Sequence, residues 1–202
     1  VLKPRESALI AVTGIFSAIV AAGGYPEPVR LLVVLAVVIL GSLGTNGLTN
    51  YLDREVDARM KRTSHRSLPS RRIEPAEKAL PVIMGLLVIA LALAWILHPL
   101  CFLFGIIGVI AASLWRKKVT CVFQGAVASC APVLIGYVAF EPHLSWTMLF
   151  LCLLIAIWVP LHVWSIMIAY RDDYLQAGVK YFPLTWKAKD AIKILPLLSL
   201  LL

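Results

Sequence analysis

The sequence predicts an all-α protein that crosses a membrane several times, and three observations support this. The chain of 202 residues is 60% hydrophobic with a mean hydropathy of +0.87, whereas soluble domains are nearer half apolar. Several apolar runs are about 20 residues long, the length that spans roughly 30 Å of hydrocarbon as a helix. The sequence lacks the short alternating strands that are typical of a membrane β-barrel.

Seven apolar segments follow one another, separated by turns or polar links. Gly23-Gly24 and Pro26 end the first, and Glu141-Pro142 ends the fifth. The seventh run has only begun at Leu202, so we expect further spans after it and treat 1–202 as one transmembrane domain. The predicted segments are Ser7–Ala22, Leu31–Leu52, Ala79–Leu97, Leu100–Trp115, Val122–Phe140, Trp146–Ala169 and Ala191–Leu202.

The basic residues are distributed as in a membrane protein. The net charge of +8 is compatible with nucleic-acid binding, but the charges lie in the links between spans, which argues against that partner. If the N-terminus is cytoplasmic, eighteen of the nineteen Lys and Arg residues fall on the cytoplasmic side, and only Arg30 does not. We therefore expect both long polar links, 53–78 and 171–190, to face the cytoplasm of a bacterial or archaeal cell, or an equivalent compartment.

Small and apolar residues inside the spans are interpreted as packing positions. Glycines allow membrane helices to approach closely, and cysteines in apolar runs pack as small hydrophobic residues. Pro132 and Pro160 are expected to kink or interrupt their helices. The residues interpreted as packing positions are Gly41, Gly44, Gly47, Gly105, Gly108, Gly125, Gly136, Cys101, Cys121, Cys130 and Cys152.

A polar stripe is predicted at the end of the second span. If this stretch is helical, Asn46, Asn50, Asp53 and Asp57 are spaced at i, i+4, i+7 and i+11 and share one face. Carboxylates at the edge of the hydrocarbon are costly unless they are paired or bound to a cation, and such oxygen ligands suit Mg²⁺. An ordinary helix end with a bridge from Asp57 to Lys61 is the alternative.

Basic residues follow this stripe directly. Lys61, Arg62 and Arg66 provide cationic groups, and guanidinium groups match the geometry of phosphate oxygens. They are candidates for binding a diphosphate, although membrane topology alone would also place basic residues here. Arg116-Lys117-Lys118, a short basic turn on the same side, is better explained by topology.

The second polar link offers another acidic site. Asp172 and Asp173 follow the sixth span, and His162 would share a stripe with Asp173 if the helix continued. Trp158, His162 and Trp164 form an aromatic and polar patch inside this span. Such a patch can line a pocket for a flat aromatic substrate, although an isolated histidine in a span is often a hydrogen-bonded core residue.

The chemistry that remains is that of a prenyl diphosphate at a membrane surface. Glycine-rich phosphate loops, zinc-protease motifs and nucleophile elbows are absent from the sequence. Carboxylates for Mg²⁺, cations for phosphate and an apolar space between helices together suit an isoprenyl diphosphate. Mg²⁺ and the cations would stabilise the departing diphosphate while an allylic carbocation attacks a nearby π-system.

These motifs resemble those of the UbiA superfamily of intramembrane prenyltransferases. The first motif consists of Asp53-Arg-Glu-Val-Asp57, Met60, Arg62-Thr63, Arg66 and Leu68-Pro69-Ser70. Within the superfamily, further stretches resemble the protoheme IX farnesyltransferase (heme O synthase) family. They are Lys3-Pro4-Arg5, Ala131-Pro132, Ile135-Gly136-Tyr137, Trp158-x-Pro160-x-His162-x-Trp164, Asp173-Tyr174, Ala177-Gly178 and Pro183.

The resemblance implies a nine-helix bundle, of which this chain holds about six and a half helices, and transfer of farnesyl from farnesyl diphosphate to a vinyl group of heme b. It implies Asp53, Asp57 and Asp173 as catalytic and Mg²⁺-binding residues. The diphosphate-binding residues implied are Asn50, Lys61, Arg62, Arg66, Arg171 and Tyr174. The acceptor-pocket residues implied are Asn46, Trp158, His162 and Trp164.

The sequence departs from the family pattern at five positions, which leaves other functions open. Alternatives are a UbiA-type enzyme with a quinone-precursor or lipid-like acceptor, and a non-catalytic membrane transporter or assembly factor. The acidic stripe at the interface and the lack of a clear internal repeat argue against a transporter. The departures are Thr49, Ser67, Arg71, Val133 and Tyr170.

Overall fold

The computed structural model describes residues 2, 4–114, 122–180 and 182–202, apart from the side chain of Ala188, and the regular elements among them are all helices. This confirms the predicted all-α class. The helices are α1 Pro4–Ala21, α2 Pro28–Leu52, α3 Arg54–Arg59, α4 Leu80–Leu97, α5 Pro99–Leu114, α6 Val122–Val138, α7 Trp146–Ala169, α8 Arg171–Gln176, α9 Ala188–Ile192 and α10 Ile194–Leu200, and a 3-10 helix, Ala76–Ala79, precedes α4.

Four of the described helical segments are long and apolar enough to cross a membrane. They comprise α1, α2, α7 and the segment Ala76–Leu97, which includes α4. The helices α5 and α6 are also apolar but shorter. Because it has several helices of this length and composition, the chain is a multi-pass integral membrane protein. Large apolar side chains such as Phe16, Val88 and Phe150 are more than half exposed, as expected where lipid replaces water.

Capping residues explain where two of the long helices begin. Glu27 precedes α2, and its two carboxylate oxygens accept hydrogen bonds from the backbone N–H groups of Val29 (3.2 Å) and Arg30 (3.3 Å). Ser145 precedes α7, and its hydroxyl oxygen accepts from the backbone N–H of Met148 at 3.1 Å. These bonds satisfy N–H groups that have no partner within the helix, so both spans begin at fixed residues.

The bundle is held by close helix pairs, with α1 packed against α2 and α6, α2 against α4, and α6 against α5 and α7. A Cβ on Gly44 would lie 2.8 Å from the side chain of Leu87, and a Cβ on Gly136 would overlap with the backbone of Gly14. These contacts confirm the packing role predicted for both glycines. Cys101 and Cys130 pack as free thiols, and Cys121 lies outside the described residues.

Some local predictions differ from the structure. The helices α6 and α7 continue through Pro132 and Pro160 without interruption. The predicted seventh span consists of the short helices α9 and α10, which meet at Lys193. The basic residues Lys3, Arg116, Lys117 and Lys118 lie outside the part of the chain that the structure describes.

The first polar link, residues 53–79, contains a strained turn. Arg71 has a φ of 57°, the left-handed region that favours glycine. The turn is closed by hydrogen bonds from the N–H of Arg71 to the carbonyl of Leu68 (3.1 Å) and from the N–H of Arg72 to that of Ser67 (3.0 Å). A glycine at this position would adopt the same φ without the steric clash of a Cβ.

Candidate active site

A partly buried ion pair marks the centre of the candidate site. Asp57 is only 1% exposed, and its Oδ2 lies 3.1 Å from Nη1 of Arg66. The same Arg66 nitrogen lies 3.5 Å from Oδ1 of Asn50, at the limit of a hydrogen bond. The structure therefore brings together three residues that the sequence analysis selected, although it pairs Asp57 with Arg66 and not with Lys61.

A break in the helix directs the acidic residues toward this cluster. Asp53 stands between α2 and α3 with φ −94° and ψ 5°, outside ordinary helical geometry. Its N–H still donates to the carbonyl of Thr49, and its own carbonyl accepts from the N–H of Asp57, both at 2.9 Å. The predicted stripe is consequently not one continuous helix, and Asn46, at its other end, donates to the hydroxyl of Ser7 in α1 at 3.3 Å.

Thr63 holds the first polar link against the end of α3. The sequence analysis assigned this residue no role. The residue is fully buried, and its hydroxyl donates to the backbone carbonyl of Asp57 at 2.9 Å. This bond holds the segment after α3 against the acidic residue, so that Arg62 and Arg66 are carried back toward the site. The available signal was that Thr63 belongs to the family motif beside Arg62.

The second polar link is joined to the first by the Asp173 carboxylate. Oδ1 of Asp173 accepts from the backbone N–H of Lys61 at 2.6 Å, and Oδ2 accepts from that of Arg62 at 3.1 Å. The hydroxyl of Tyr174 accepts from Nη2 of Arg62 at 3.2 Å. Asp173 and Tyr174, which lie more than 100 positions after their partners in the chain, thus contact the first link directly.

An apolar cluster supports these polar contacts. It joins α3, the C-terminal end of α7 and the second link, and its members are at most 7% exposed. Burial of this apolar surface provides the driving force that holds the two links together. The cluster consists of Val56, Met60, Met167, Tyr174, Ala177, Val179 and Leu184.

The electrostatic environment favours an anion beside Arg62. Its Nε is buried, and no hydrogen-bond partner for it exists among the residues that the structure describes. Its guanidinium carbon lies 5.3 Å from the ring centre of Tyr170. Burial raises the pKa of the Tyr174 hydroxyl above its usual value, and the nearby Arg62 partly opposes this shift.

A small polar cavity opens at the ion pair. Its volume is about 140 Å³, a few times the roughly 30 Å³ that a water molecule occupies in the liquid. The paired side chains of Asp57 and Arg66 both line it, so an anionic and a cationic group are available to a phosphate accompanied by a cation. The lining residues are Leu2, Asn50, Asp57, Arg66, Ser67, Leu68 and Pro69.

The donor set fits Mg²⁺ bound together with a phosphate. Asn50, Asp53 and Asp57 are buried and carry the oxygen donors that Mg²⁺ prefers. Within the described residues, no group of three or more His, Cys, Asp or Glu side chains is placed to hold a metal ion alone. Mg²⁺ commonly uses one or two carboxylates and takes its remaining ligands from water and substrate phosphates.

Two residues predicted to bind diphosphate contact other groups in the structure. Nη1 of Arg171 donates to the backbone carbonyl of Trp186 at 2.9 Å, within the second link. The side chain of Lys61 is exposed, and its backbone N–H makes the contact with Asp173. Their roles toward a diphosphate stay predictions.

The aromatic patch on α7 is divided between two faces of the helix. Trp158 and His162 are stacked with ring centres 4.7 Å apart and planes 9° apart, and both are exposed. Trp164 points elsewhere, because it packs edge-on against Phe182 and lines a different space with Pro160. At 100° per residue, positions 162 and 164 lie far apart around a helix.

The space beside Trp164 is a large apolar cavity between α5, α6 and α7. Its volume is about 1060 Å³, and its lining is almost entirely apolar, which suits a hydrocarbon chain and not a charged group. Trp158 and His162 do not line it. Representative lining residues are Phe104, Val127, Leu134, Leu149, Ala156 and Trp164.

The family of the chain follows from its match to known sequences. The model of the UbiA prenyltransferase family matches residues 9–202. The chain is a member of the UbiA prenyltransferase family. The buried acidic residues, the arginines and the second link described above therefore belong to a UbiA fold.

Curated UbiA relatives extend this assignment. The chain is 34% identical to a protoheme IX farnesyltransferase of Desulforudis audaxviator, covering 100% of this chain and 66% of the relative. It is 31% identical to that of Korarchaeum cryptofilum over 96% of this chain and 67% of the relative. It is 34% identical to protoheme IX farnesyltransferase 1 of Picrophilus torridus over 80% of this chain and 56% of the relative. The chain thus spans between 56% and 67% of the length of these relatives.

Solved UbiA structures confirm the fold. A UbiA homolog from Archaeoglobus fulgidus, bound to DMAPP and Mg²⁺, superposes with a TM-score of 0.77 at 16% identity, over 98% of this chain and 72% of that one. A structure of digeranylgeranylglyceryl phosphate synthase superposes with a TM-score of 0.77 at 18% identity, over 98% of this chain and 71% of that one. At these identities the likeness establishes the shared helical architecture.

Proposed function

We propose that this UbiA protein transfers a farnesyl group from farnesyl diphosphate to a vinyl group of heme b, with Mg²⁺ as cofactor. The observation that carries the proposal is the partly buried cluster of Asn50, Asp57 and Arg66, beside which Asp173 and Tyr174 of the second link contact Lys61 and Arg62. The name shared by the curated relatives supports farnesyl and protoheme as the two substrates.

Different residues of the chain would bind Mg²⁺, bind the diphosphate and position the arginines. Asp53 and Asp57 would hold Mg²⁺, which supplies positive charge to the departing diphosphate when bound. Arg66, already beside Asp57, and Arg62, with its buried unpaired Nε, bind the diphosphate oxygens. Asp173 keeps the backbone of the arginine segment in place, so that these cations are positioned before the reaction.

The proposed reaction is balanced in atoms and charge. The bond between farnesyl C1 and oxygen breaks, and its electron pair leaves with the diphosphate. A carbon–carbon bond forms between farnesyl C1 and the terminal vinyl carbon, and water then adds to the remaining carbocation with loss of a proton. The arginines stabilise the charge that develops on the leaving diphosphate, and the apolar bundle limits access of water to the allylic carbocation.

The proposal is tested by product analysis on membranes that contain the chain. With labelled farnesyl diphosphate, heme b and Mg²⁺, we expect hydroxyethylfarnesyl heme by mass spectrometry. Asp57→Asn should lower kcat roughly 100-fold or more, because the position keeps its shape but loses its charge. Asp190→Asn is the matched control, since Asp190 is exposed and pairs only with Lys193 in the described residues.

Other outcomes identify the alternatives. Prenylation of an aromatic acid with no heme product would indicate a quinone-precursor acceptor, and prenylation of a lipid-like acceptor would indicate a further branch of the family. Turnover unchanged in Asp57→Asn and Asp53→Asn would contradict the catalytic assignment and favour a transporter or assembly factor.

A further inference from the structure

Two cysteines on neighbouring spans meet in the structure, and the proposed function uses neither. Cys130 lies on α6 and Cys152 on α7. The thiol of Cys130 donates a hydrogen bond to the backbone carbonyl of Cys152, with 3.4 Å between sulfur and oxygen, and the two thiol side chains also interact with each other. The sequence predicted only separate packing roles for them, so the pair is a feature of the tertiary structure.

The register of the helical hairpin explains why these thiols meet. The helix α6 ends at Val138, α7 begins at Trp146, and the two helices pack against each other. Cys130 lies eight residues before the end of α6, and Cys152 lies six residues after the start of α7. At 1.5 Å per residue, the cysteines are about 12 Å and about 9 Å from these helix ends, which is nearly the same depth. The backbone of the hairpin therefore brings the two short side chains together.

Both thiols are accessible from the large apolar cavity. Cys130 and Cys152 are partly exposed and line the cavity of about 1060 Å³ between α5, α6 and α7. Leu144 and Trp146 line the same cavity, so it continues to the end of the bundle at which α7 begins. Cys101, by contrast, is fully buried away from this cavity and donates to a backbone carbonyl of α6 at 3.5 Å. An uncharged molecule in the cavity thus reaches the pair but not Cys101.

The surroundings of the pair favour oxidation by an uncharged reagent. A thiol in apolar surroundings stays protonated and reacts slowly with charged, water-soluble oxidants. A disulfide carries neither a charge nor a polar hydrogen, so it is compatible with hydrocarbon. The charge distribution also predicts that the link between α6 and α7 faces away from the cytoplasm, the side on which disulfides persist. A lipid-soluble quinone, which is flat, uncharged and accepts two electrons, is the class of oxidant that these properties select.

We propose that Cys130 and Cys152 are a reversible dithiol–disulfide pair that cross-links α6 to α7 beside the apolar cavity, with a lipid-soluble quinone as oxidant. Two S–H bonds break and one S–S bond forms, while two electrons and two protons pass to the quinone and convert it to the hydroquinone. A dithiol reductant reverses the reaction by thiol–disulfide exchange. The cross-link holds α6 against α7 and fixes the width of the cavity wall that they share. The inference does not depend on the acceptor of the prenyl group.

The inference is tested by thiol mapping of the detergent-purified chain, which contains four cysteines. The reduced protein is incubated with duroquinone, whose fully methylated ring leaves no position for thiol addition, and is then denatured, alkylated and analysed by mass spectrometry. The wild type should lose two alkylation sites and yield a peptide cross-linked through Cys130 and Cys152, and dithiothreitol should restore both sites. Cys130→Ala and Cys152→Ala should keep all their remaining sites, whereas Cys101→Ala, the matched control, should still form the cross-link.

A second set of measurements tests the access route and the connection between the helices. Oxidised glutathione, which is charged, should cross-link the pair several-fold more slowly than duroquinone. The oxidised wild type should melt at a higher temperature than the reduced protein, because a cross-link restricts the unfolded chain, and Cys130→Ala should show no such rise.

Three outcomes would each overturn the inference. They are an unchanged number of alkylation sites in the wild type, a cross-link through Cys101 or between two chains in place of the Cys130–Cys152 bond, and equal rates with the two oxidants. None of these readouts involves farnesyl diphosphate or heme, so the inference and the proposed function succeed or fail separately.

Discussion

At the scale of single residues, Asp173 contributes in a way that its charge alone does not reveal. Both of its carboxylate oxygens accept backbone N–H groups of the first link, from Lys61 and Arg62. A carboxylate that accepts two such bonds orders the segment on which the arginines stand. Its predicted role as a Mg²⁺ ligand is compatible with this only if an oxygen lone pair remains for the ion.

Replacement of Asp173 should therefore affect both stability and catalysis. In Asp173→Asn an NH₂ group faces a backbone N–H donor, which should cost roughly 1–3 kcal/mol and lower the melting temperature of the detergent-solubilised chain. Farnesyl transfer should fall with it, because Arg62 loses its anchor. The exposed neighbour provides the control Asp172→Asn, and equal melting temperatures for the two variants would contradict the assignment.

At the scale of elements, the two polar links begin alike. Each follows a long apolar helix, α2 or α7, that ends at a single non-helical residue, Asp53 or Tyr170. Each then continues as a six-residue helix with acidic residues in its first turn, where the helix dipole favours negative charge. The acidic residues are thus placed at helix starts near the end of the bundle, where both links meet.

The strained turn of the first link gives a prediction at this scale. Arg71→Gly should stabilise the chain by about 1 kcal/mol, because glycine adopts a φ of 57° without the clash of a Cβ. The gain should appear as a higher melting temperature in detergent. Arg72→Gly, also exposed and next in the chain, is the control and should give no such gain. A lower melting temperature in Arg71→Gly would show that the Arg71 side chain contributes more than the turn costs.

Close packing of α1 and α6 gives a second prediction. Gly136→Ala should destabilise the bundle by about 1–3 kcal/mol, because its Cβ would overlap the carbonyl of Gly14 and the two backbones would have to separate. Gly85→Ala is the control, since a Cβ there meets nothing within 4 Å and alanine favours the helix. Thermal unfolding of both variants measures the difference, and equal stability would contradict a direct backbone contact.

At the scale of the whole molecule, the contacts between the links place them at the same end of the bundle, as the charge distribution predicted. The basic residues concentrate at this end, which we propose faces the cytoplasm. An active site at that surface would take a charged diphosphate from the aqueous side and its apolar chain from within the membrane.

The orientation can be measured with a matched pair of exposed histidines. In a cysteine-free background, His65→Cys lies in the first link and His143→Cys in the link between α6 and α7. A membrane-impermeant maleimide added to intact cells should label His143→Cys, whereas His65→Cys should react only in inverted vesicles. The reverse pattern would place the candidate site on the outer face.

The sequence by itself determined the class of the protein, its long apolar helices and the concentration of its charged residues in the polar links. Helix type and span length depend on local apolar content, so the bounds of α7 were predicted residue for residue and those of α2 to within a few residues. The side of the membrane that each link faces stays a prediction from the charges in that link. The family motif identified most of the residues that meet at the site.

The tertiary structure decided which of those side chains meet. Arg66, and not Lys61, pairs with Asp57, because the helix breaks at Asp53 and Thr63 folds the link back. Trp164 is separated from His162 by the rotation of α7 and its packing against Phe182. These outcomes depend on hydrogen bonds and apolar contacts between residues far apart in the chain, whose geometry local patterns do not encode.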